Sequence, residues 1–254
     1  MITVEQMAEA TALPEIQSLS FKAFSREDVV NLIMQRSEII HDQPRSAKII
    51  RSWIAGDFGP AASLVDQNRE ELVRRAAAII YLEYQQLRGT IADCAPKAIA
   101  DIGCGYAIFD LFLWRDTACK LVLIDLEKTD ERHFGFNETG AAYSNLATAK
   151  AFLIENGVEP EQVHCRNPAV DNLNSDAPVD IAFSFISCGF HYPVETYLGY
   201  FKDVVAENGS IILDLRAKKA RQGKRLLHSV GEVSDLVDAA RGSANRVLVK
   251  KAQG

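Results

Sequence analysis

Residues 98–106 read Ala-Ile-Ala-Asp-Ile-Gly-Cys-Gly-Tyr, and residues 121–125 read Leu-Val-Leu-Ile-Asp. Each is a short apolar run of the kind that fills a parallel strand buried on both faces. The first stops at a Gly-x-Gly turn and the second at a carboxylate. In an open parallel sheet, such a turn brings backbone close to a nucleotide-like ligand. An acid at the tip of the neighbouring strand can then hold both hydroxyls of a ribose. Glycine spacing separates the ligand classes. The dinucleotide fingerprint, Gly-x-Gly-x-x-Gly/Ala, needs a small third residue for close helix–strand packing beside a pyrophosphate. Counted from Gly103 and Gly105, that place is held by Ile108, which argues against NAD or FAD.

A chain of 254 residues can hold one α/β domain with an appendage and buries enough apolar surface to need no disulfide staples. Its hydrophobic fraction of 48% and charged fraction of 24% are ordinary for a globular protein. The five cysteines, Cys94, Cys104, Cys119, Cys165 and Cys188, lack metal-type spacing and are expected to be reduced thiols. No basic-then-apolar leader opens the chain and no apolar stretch approaches membrane-spanning length, so the expectation is a cytoplasmic protein that meets no membrane. A net charge of −6 disfavours nucleic acid as a partner. One local exception is the stretch 216–225, where Arg216, Lys218, Lys219, Arg221, Lys224 and Arg225 occur without an acid. It reads either as a solvated helix or as a positive rim for an acidic or phosphorylated substrate.

Two regions separate along the chain. Residues 1–92 lack strand patterns and are expected to form a helical N-terminal region that covers a cleft, selects substrate or makes a homo-oligomer contact. Ser25 caps a helix to about His41, a short helix spans 45–54, and the apolar stripe of Leu72, Val73, Ala76, Ile79, Ile80 and Leu87 marks a helix over 68–88. From 93 to 254, short strands alternate with helices, which signals a mostly parallel sheet covered on both faces. Strands are expected at 98–102, 120–125, 162–166, 179–186, 209–215 and 245–250, with helices at 107–115, 138–156, 194–206 and 221–229. A further strand is hard to find; 232–238 is the best candidate.

The pattern of Asp101, Gly103, Gly105 and Ala107 (acidic-x-Gly-x-Gly-x-small) resembles motif I of the class I S-adenosylmethionine-dependent methyltransferases, with Ala107 where many members carry glycine. The order of elements over 96–250 resembles that family's fold too: α/β, Rossmann-like, a seven-stranded sheet with helices on both faces and its last strand antiparallel. Gly189-Phe190-His191-Tyr192-Pro193, with His133-Phe134-Gly135-Phe136 and Tyr143-Ser144-Asn145-Leu146, is similar to a bacterial branch of sugar O-methyltransferases. The resemblance implies S-adenosylmethionine as cofactor. It also implies a cofactor site comprising Asp101, Gly103, Cys104, Gly105, Asp125, Leu126, Asn167 and Ser187. Asp101 would organise the loop and reach the methionine part. Gly103 and Gly105 would let backbone approach, while Cys104 packs between them. Asp125 would take the ribose hydroxyls, Leu126 would lie against adenine, and Asn167 would meet the adenine amino group.

Methyl transfer is an in-line displacement from an electrophilic sulfonium, so the protein must align donor and acceptor and deprotonate a hydroxyl. His191 is the candidate catalytic base, because its ordinary pKa lies near neutrality; it could equally hold the loop's shape. Tyr192 orients substrate or closes the pocket. Asp214 and Arg216 point to the substrate side and are expected to pair with each other. His133 and Tyr143 could line the cleft. Asp214 is the one obvious acid near the fourth and fifth strands, so no metal is expected. The acceptor is read as a small-molecule or sugar hydroxyl. Two other functions compete: a partner protein that binds the cofactor but is catalytically silent, and a nicotinamide oxidoreductase, which Ile108 disfavours.

Overall fold

The computed structural model describes residues 2–126, 145–236 and 243–252. Its strands are β1 (Ala98–Ile102), β2 (Lys120–Ile124), β3 (Val163–Arg166), β4 (Val179–Ser184), β5 (Val205–Arg216), β6 (Gly231–Asp235) and β7 (Ala244–Lys251). They form one seven-stranded sheet in the order β3-β2-β1-β4-β5-β7-β6. Strands β1 to β5 run parallel, and β7 is antiparallel to both β5 and β6. The order reverses between β1 and β4, so a crevice opens at the carboxyl ends of those two strands, the usual ligand position in doubly wound sheets.

Alternation within each strand builds two cores. Ile99, Leu121, Leu123, Val163, Ile181, Phe183 and Ile212 face one side, while Ala100, Ile102, Val122, Ile124, Ala182, Ile211, Leu213 and Leu215 face the other. Being buried on both sides, these strands are near-continuous apolar runs, which is why 98–102 coincides with the expected strand and 120–125 is one residue too long. Strand β5 starts at Val205, four residues ahead of the expected 209. The difficult strand is β6. Glu232, Ser234 and Asp235 are exposed and it pairs with β7 alone, so no apolar run marks it.

On the first face lie α1 (Val4–Thr11), α2 (Pro14–Gln17), α3 (Arg26–Gln35), α4 (Ser46–Ile54), α5 (Gly59–Asp93), α6 (Ile108–Thr117) and α7 (Leu146–Glu155). On the second lie α8 (Leu198–Asp203) and α9 (Ala220–Leu227). Helix α3 begins where the Ser25 side chain accepts the Asp28 N–H and Asp28 reaches back to the Ser25 N–H, a complete capping box. It stops at Gln35 and a 3₁₀ turn over Ser37–Ile40 follows, where one helix to His41 was expected. Helix α5 is longer than the expected 68–88. It departs from helical dihedrals at Asn68 (φ −138°, ψ 27°), the residue at which the expected helix begins.

The N-terminal helices share the first core with the sheet rather than owning a separate one. The Phe21 ring stacks on Phe152 of α7 at 5.8 Å, and Phe24 meets Tyr106 at 5.2 Å. Polar contacts fix the same seam. Asn156 accepts the Ser20 N–H (3.0 Å) and donates to its carbonyl (2.9 Å). Glu155 accepts the Lys22 and Ala23 amides (3.1 and 3.0 Å) and the Ser20 hydroxyl. Buried Tyr106, one residue beyond Gly105, donates to buried Asp28 of α3 at 3.1 Å. The glycine turn is thereby tied to the N-terminal region. Among the described residues no helix is long and apolar enough to cross a membrane.

Glu155→Ala strands two amides and a hydroxyl and is expected to lower unfolding free energy by about 1–3 kcal/mol in urea denaturation. An unchanged midpoint would contradict the weight given to this seam.

Candidate active site

The chain leaves β1 through a turn in which Gly103, Gly105 and Ala107 have φ of +81°, +57° and +55°. A Cβ at Gly103 would overlap the Ser187 side chain, so glycine is needed there by geometry and by crowding alike. At Gly105 a Cβ would only touch the Gln35 amide oxygen, at 3.5 Å. Ala107 bears a left-handed conformation that costs an L residue about 1–2 kcal/mol, which explains why glycine suits this place. The turn is pinned to β2. Gly103 donates to the Ile124 carbonyl (2.7 Å) and Gly105 donates to Asp125 Oδ2 (2.8 Å). The Asp125 carboxylate therefore sits against the glycine bend, and its own amide donates to the Arg166 carbonyl on β3 (3.2 Å).

Acid is concentrated beneath this turn. Asp101 is 5% exposed and Asp110, in the first turn of α6, is 0% exposed. Burial, then the neighbouring Asp110 and Asp125, hold the Asp101 carboxyl well above the usual range. Burial likewise pushes Asp110 up to about 7, against the hydrogen bond with Asp101 and a backbone contact that lower it. Two carboxyls buried side by side resist ionising together, so their proton losses are linked. Burial and the same three acids push the Cys104 thiol well up, so it stays protonated and packs.

The loop after β4 closes over the turn from the other side. Ser184 donates to the Ile102 carbonyl (2.5 Å) and accepts the Cys188 amide (2.9 Å), which ties the loop to the end of β1. The Ser187 carbonyl accepts the amides of Phe190, His191 and Tyr192 at 3.1, 2.8 and 3.1 Å. Ile186 is held at φ +56°, a strained position for a β-branched residue. Gly189, at φ +88°, lies where a Cβ would strike Leu215, and its carbonyl accepts the Arg216 amide (2.9 Å). The His191 ring meets Phe190 edge-on at 5.2 Å. Burial and then the Asp125 charge raise the Tyr192 phenol, which places Tyr192 within the field of Asp125.

Asp101, Gly103, Cys104, Gly105, Asp125 and Ser187 thus converge on one bend, with Leu126 continuing from Asp125 and the His191–Tyr192 loop alongside. Asn167 lies one strand over, after β3, and its side-chain oxygen accepts the Ala169 amide (3.0 Å) in a local turn. His133 and Tyr143 lie outside the described residues. Asp214 does not pair with Arg216. The β5–β7 register sets it opposite Arg246, which holds it by a buried bidentate bridge (2.7 and 2.9 Å) and lies 4.5 Å over the Phe185 ring. Arg36, at the end of α3, makes a second bidentate bridge with Glu83 (2.7 and 2.8 Å). No local motif marks Asp110, Arg246, Arg36 or Gln35: the last three arrive by long-range packing, and Asp110 is set apart only by its burial in the first turn of α6.

A cavity of about 650 Å³ lies elsewhere, at the β3 edge of the sheet, lined by Lys120, Lys150, His164 and Arg166 among others and by none of the residues that converge on the bend. Among the described residues no cluster of three or more His, Cys, Asp or Glu is placed to hold a metal.

No family model and no curated protein matches the chain. Solved structures do. The cofactor-bound Rv0187 from MTB aligns over 68% of this chain and 81% of its own, at 13% identity and a TM-score of 0.50. An O-methyltransferase family protein from Burkholderia thailandensis aligns over 89% and 73%, at 9% identity and TM-score 0.47. The O-methyltransferase TomG from Streptomyces achromogenes, in complex with SAM, aligns over 68% and 78%, at 16% identity and TM-score 0.44. The fold defined by strand order and direction is the Rossmann-like fold of the class I methyltransferases, as the motif resemblance implied.

Asp110 keeps its proton to about pH 7 in the folded chain, against an ordinary value of 3.8. The folded state therefore binds the extra proton between those values, and stability falls as pH rises from about 4 to about 7. Asp110→Asn is expected to flatten that slope and to raise stability at pH 8, read by urea unfolding across pH. An unaltered slope would show that Asp110 does not hold the extra proton.

Proposed function

We propose that the chain is an S-adenosylmethionine-dependent methyltransferase acting on the oxygen of a small or glycan-like hydroxyl acceptor. The contact between the Gly105 amide and the Asp125 carboxylate carries this reading, because it sets a ribose-binding acid against a bend where backbone can approach a ligand. The acids fit the cofactor's charge. Asp110 and Asp125 both raise the cost of ionising Asp101, and a cationic ligand relieves it where a pyrophosphate aggravates it. Bound there, the cofactor supplies an already electrophilic methyl group.

The remaining tasks fall to this chain. Asp125 holds the ribose by charge-assisted hydrogen bonds. Ser187, packed on Gly103, shapes the floor of the site, and Asn167 and Leu126 border the adenine end. The strained 185–193 loop presents His191 as the base that takes the acceptor's proton, with Tyr192 beside it. Helices α1–α5, fastened to the turn through Tyr106 and Asp28, cover the cleft and select the acceptor.

Calorimetry with S-adenosylhomocysteine tests the reading: binding is expected, and its absence at millimolar ligand would end it. Asp125→Ala is expected to weaken that binding at least about tenfold, since the ribose loses a charged acceptor. Wild-type affinity in the variant would remove Asp125 from the ribose role. His191→Ala is expected to lower turnover about 10²–10⁴-fold while leaving cofactor affinity nearly constant; unchanged turnover would make His191 structural.

A further inference from the structure

The charges around the crevice are divided by strand. Acids gather at the β1 and β2 tips, where Asp101, Asp110 and Asp125 meet. Cations gather at the β5 tip. The side chains of Ile212, Asp214 and Arg216 share one face of β5, the face that also carries the N-terminal helices and Phe183. Three arginines stand on this side, and two are neutralised internally: Arg246 by Asp214 and Arg36 by Glu83. Among the described residues no carboxylate lies within ion-pair distance of Arg216. Its guanidinium carbon lies over the Phe190 ring, 5.0 Å from the ring centre, in the loop that carries His191. A cation–π contact uses none of a guanidinium's N–H donors as hydrogen bonds to an anion, which leaves them available for a bidentate oxyanion. Beyond Arg216, exposed Lys218, Lys219 and Arg221 extend the positive field, while Lys224 is taken by Asp235 at 2.6 Å.

We infer that the acceptor carries an anionic group, a carboxylate or a phosphate, and that Arg216 binds it edge-on beside the Phe190–His191 loop. This rests on the methyl-transfer reading of the crevice. A cationic donor over the acidic tips and an anionic acceptor over the basic tip each meet a field of opposite sign, and the anchored acceptor's hydroxyl is left at the His191 loop. Arg216 is a specificity residue: it touches the acceptor's anion and takes no part in proton or methyl transfer.

The test is calorimetry on the full chain saturated with S-adenosylhomocysteine, with benzoate, phenyl phosphate and neutral phenol as probes. At least one anion is expected to bind more tightly than phenol. Arg216→Gln is expected to weaken that anion about tenfold, Arg216→Lys to weaken it less, and neither to alter phenol binding. Whichever anion shows the larger dependence identifies the group. Anion affinity within twofold of wild type in Arg216→Gln, or no preference for either anion over phenol, would overturn the inference. Thermal melting of the variant reports whether it folds, and Arg216→Lys keeps the charge should Arg216→Gln fail to fold. Titration of S-adenosylhomocysteine alone is read separately. Absence of its heat alongside Arg216-dependent anion binding would sink methyl transfer and leave the anion site standing.

Discussion

The Gly105 amide donates to a carboxylate 20 residues away in sequence and one strand away in space. That hydrogen bond joins the β1 turn to the β2 tip, and the surrounding features are arranged to hold it. The left-handed backbone at 103, 105 and 107 aims the amide. The Ile124 carbonyl fixes Gly103, and Ser187 fills the space a side chain would need. Buried Tyr106 and Asp28 then couple the same bend to the N-terminal helices. A charged acceptor on a backbone donor is among the stronger contacts a loop can have, and here it keeps a carboxylate in the crevice that opens where the strand order reverses.

Strain and charge concentrate in the same place. Ile186 in a left-handed conformation, Ala107 in another, and the joint burial of the Asp101 and Asp110 carboxyls each cost stability, on the order of 1–3 kcal/mol for each strained residue. The surrounding packing compensates: the sheet is buried on both faces, and α3, α5, α6 and α7 cover the side on which the acids lie. A fold that tolerates such costs beside one crevice is organised around a ligand there, with the rest of the molecule acting as support.

The parts legible in the sequence were those determined by local periodicity or local turn chemistry. Runs such as 98–102 and 121–124 can be read because strands buried on both faces are apolar throughout, and Asp101, Gly103, Gly105 and Asp125 can be read because turn and strand tip are each continuous stretches. Strand β6 was faint because it is an edge strand whose side chains are exposed. The partner of Asp214 was misassigned because Arg246 lies 32 residues further on, and only the antiparallel register brings it opposite. Gln35 and Arg36 sit at the end of α3, whose only sequence signal, the Ser25 cap, marks its beginning and says nothing of where its end lies. Asp110 sits in the first turn of a helix, where an acid is common, and only its burial beside Asp101 sets it apart.

A crystal structure with S-adenosylhomocysteine bound would test the central claim most directly. The expected result is both ribose hydroxyls within hydrogen-bond distance of the Asp125 carboxylate, with the ligand lying across the 103–105 bend and the β4 loop. Density for the ligand in another cavity, such as the one lined by Lys120 and His164, or a ribose that makes no contact with Asp125, would contradict it.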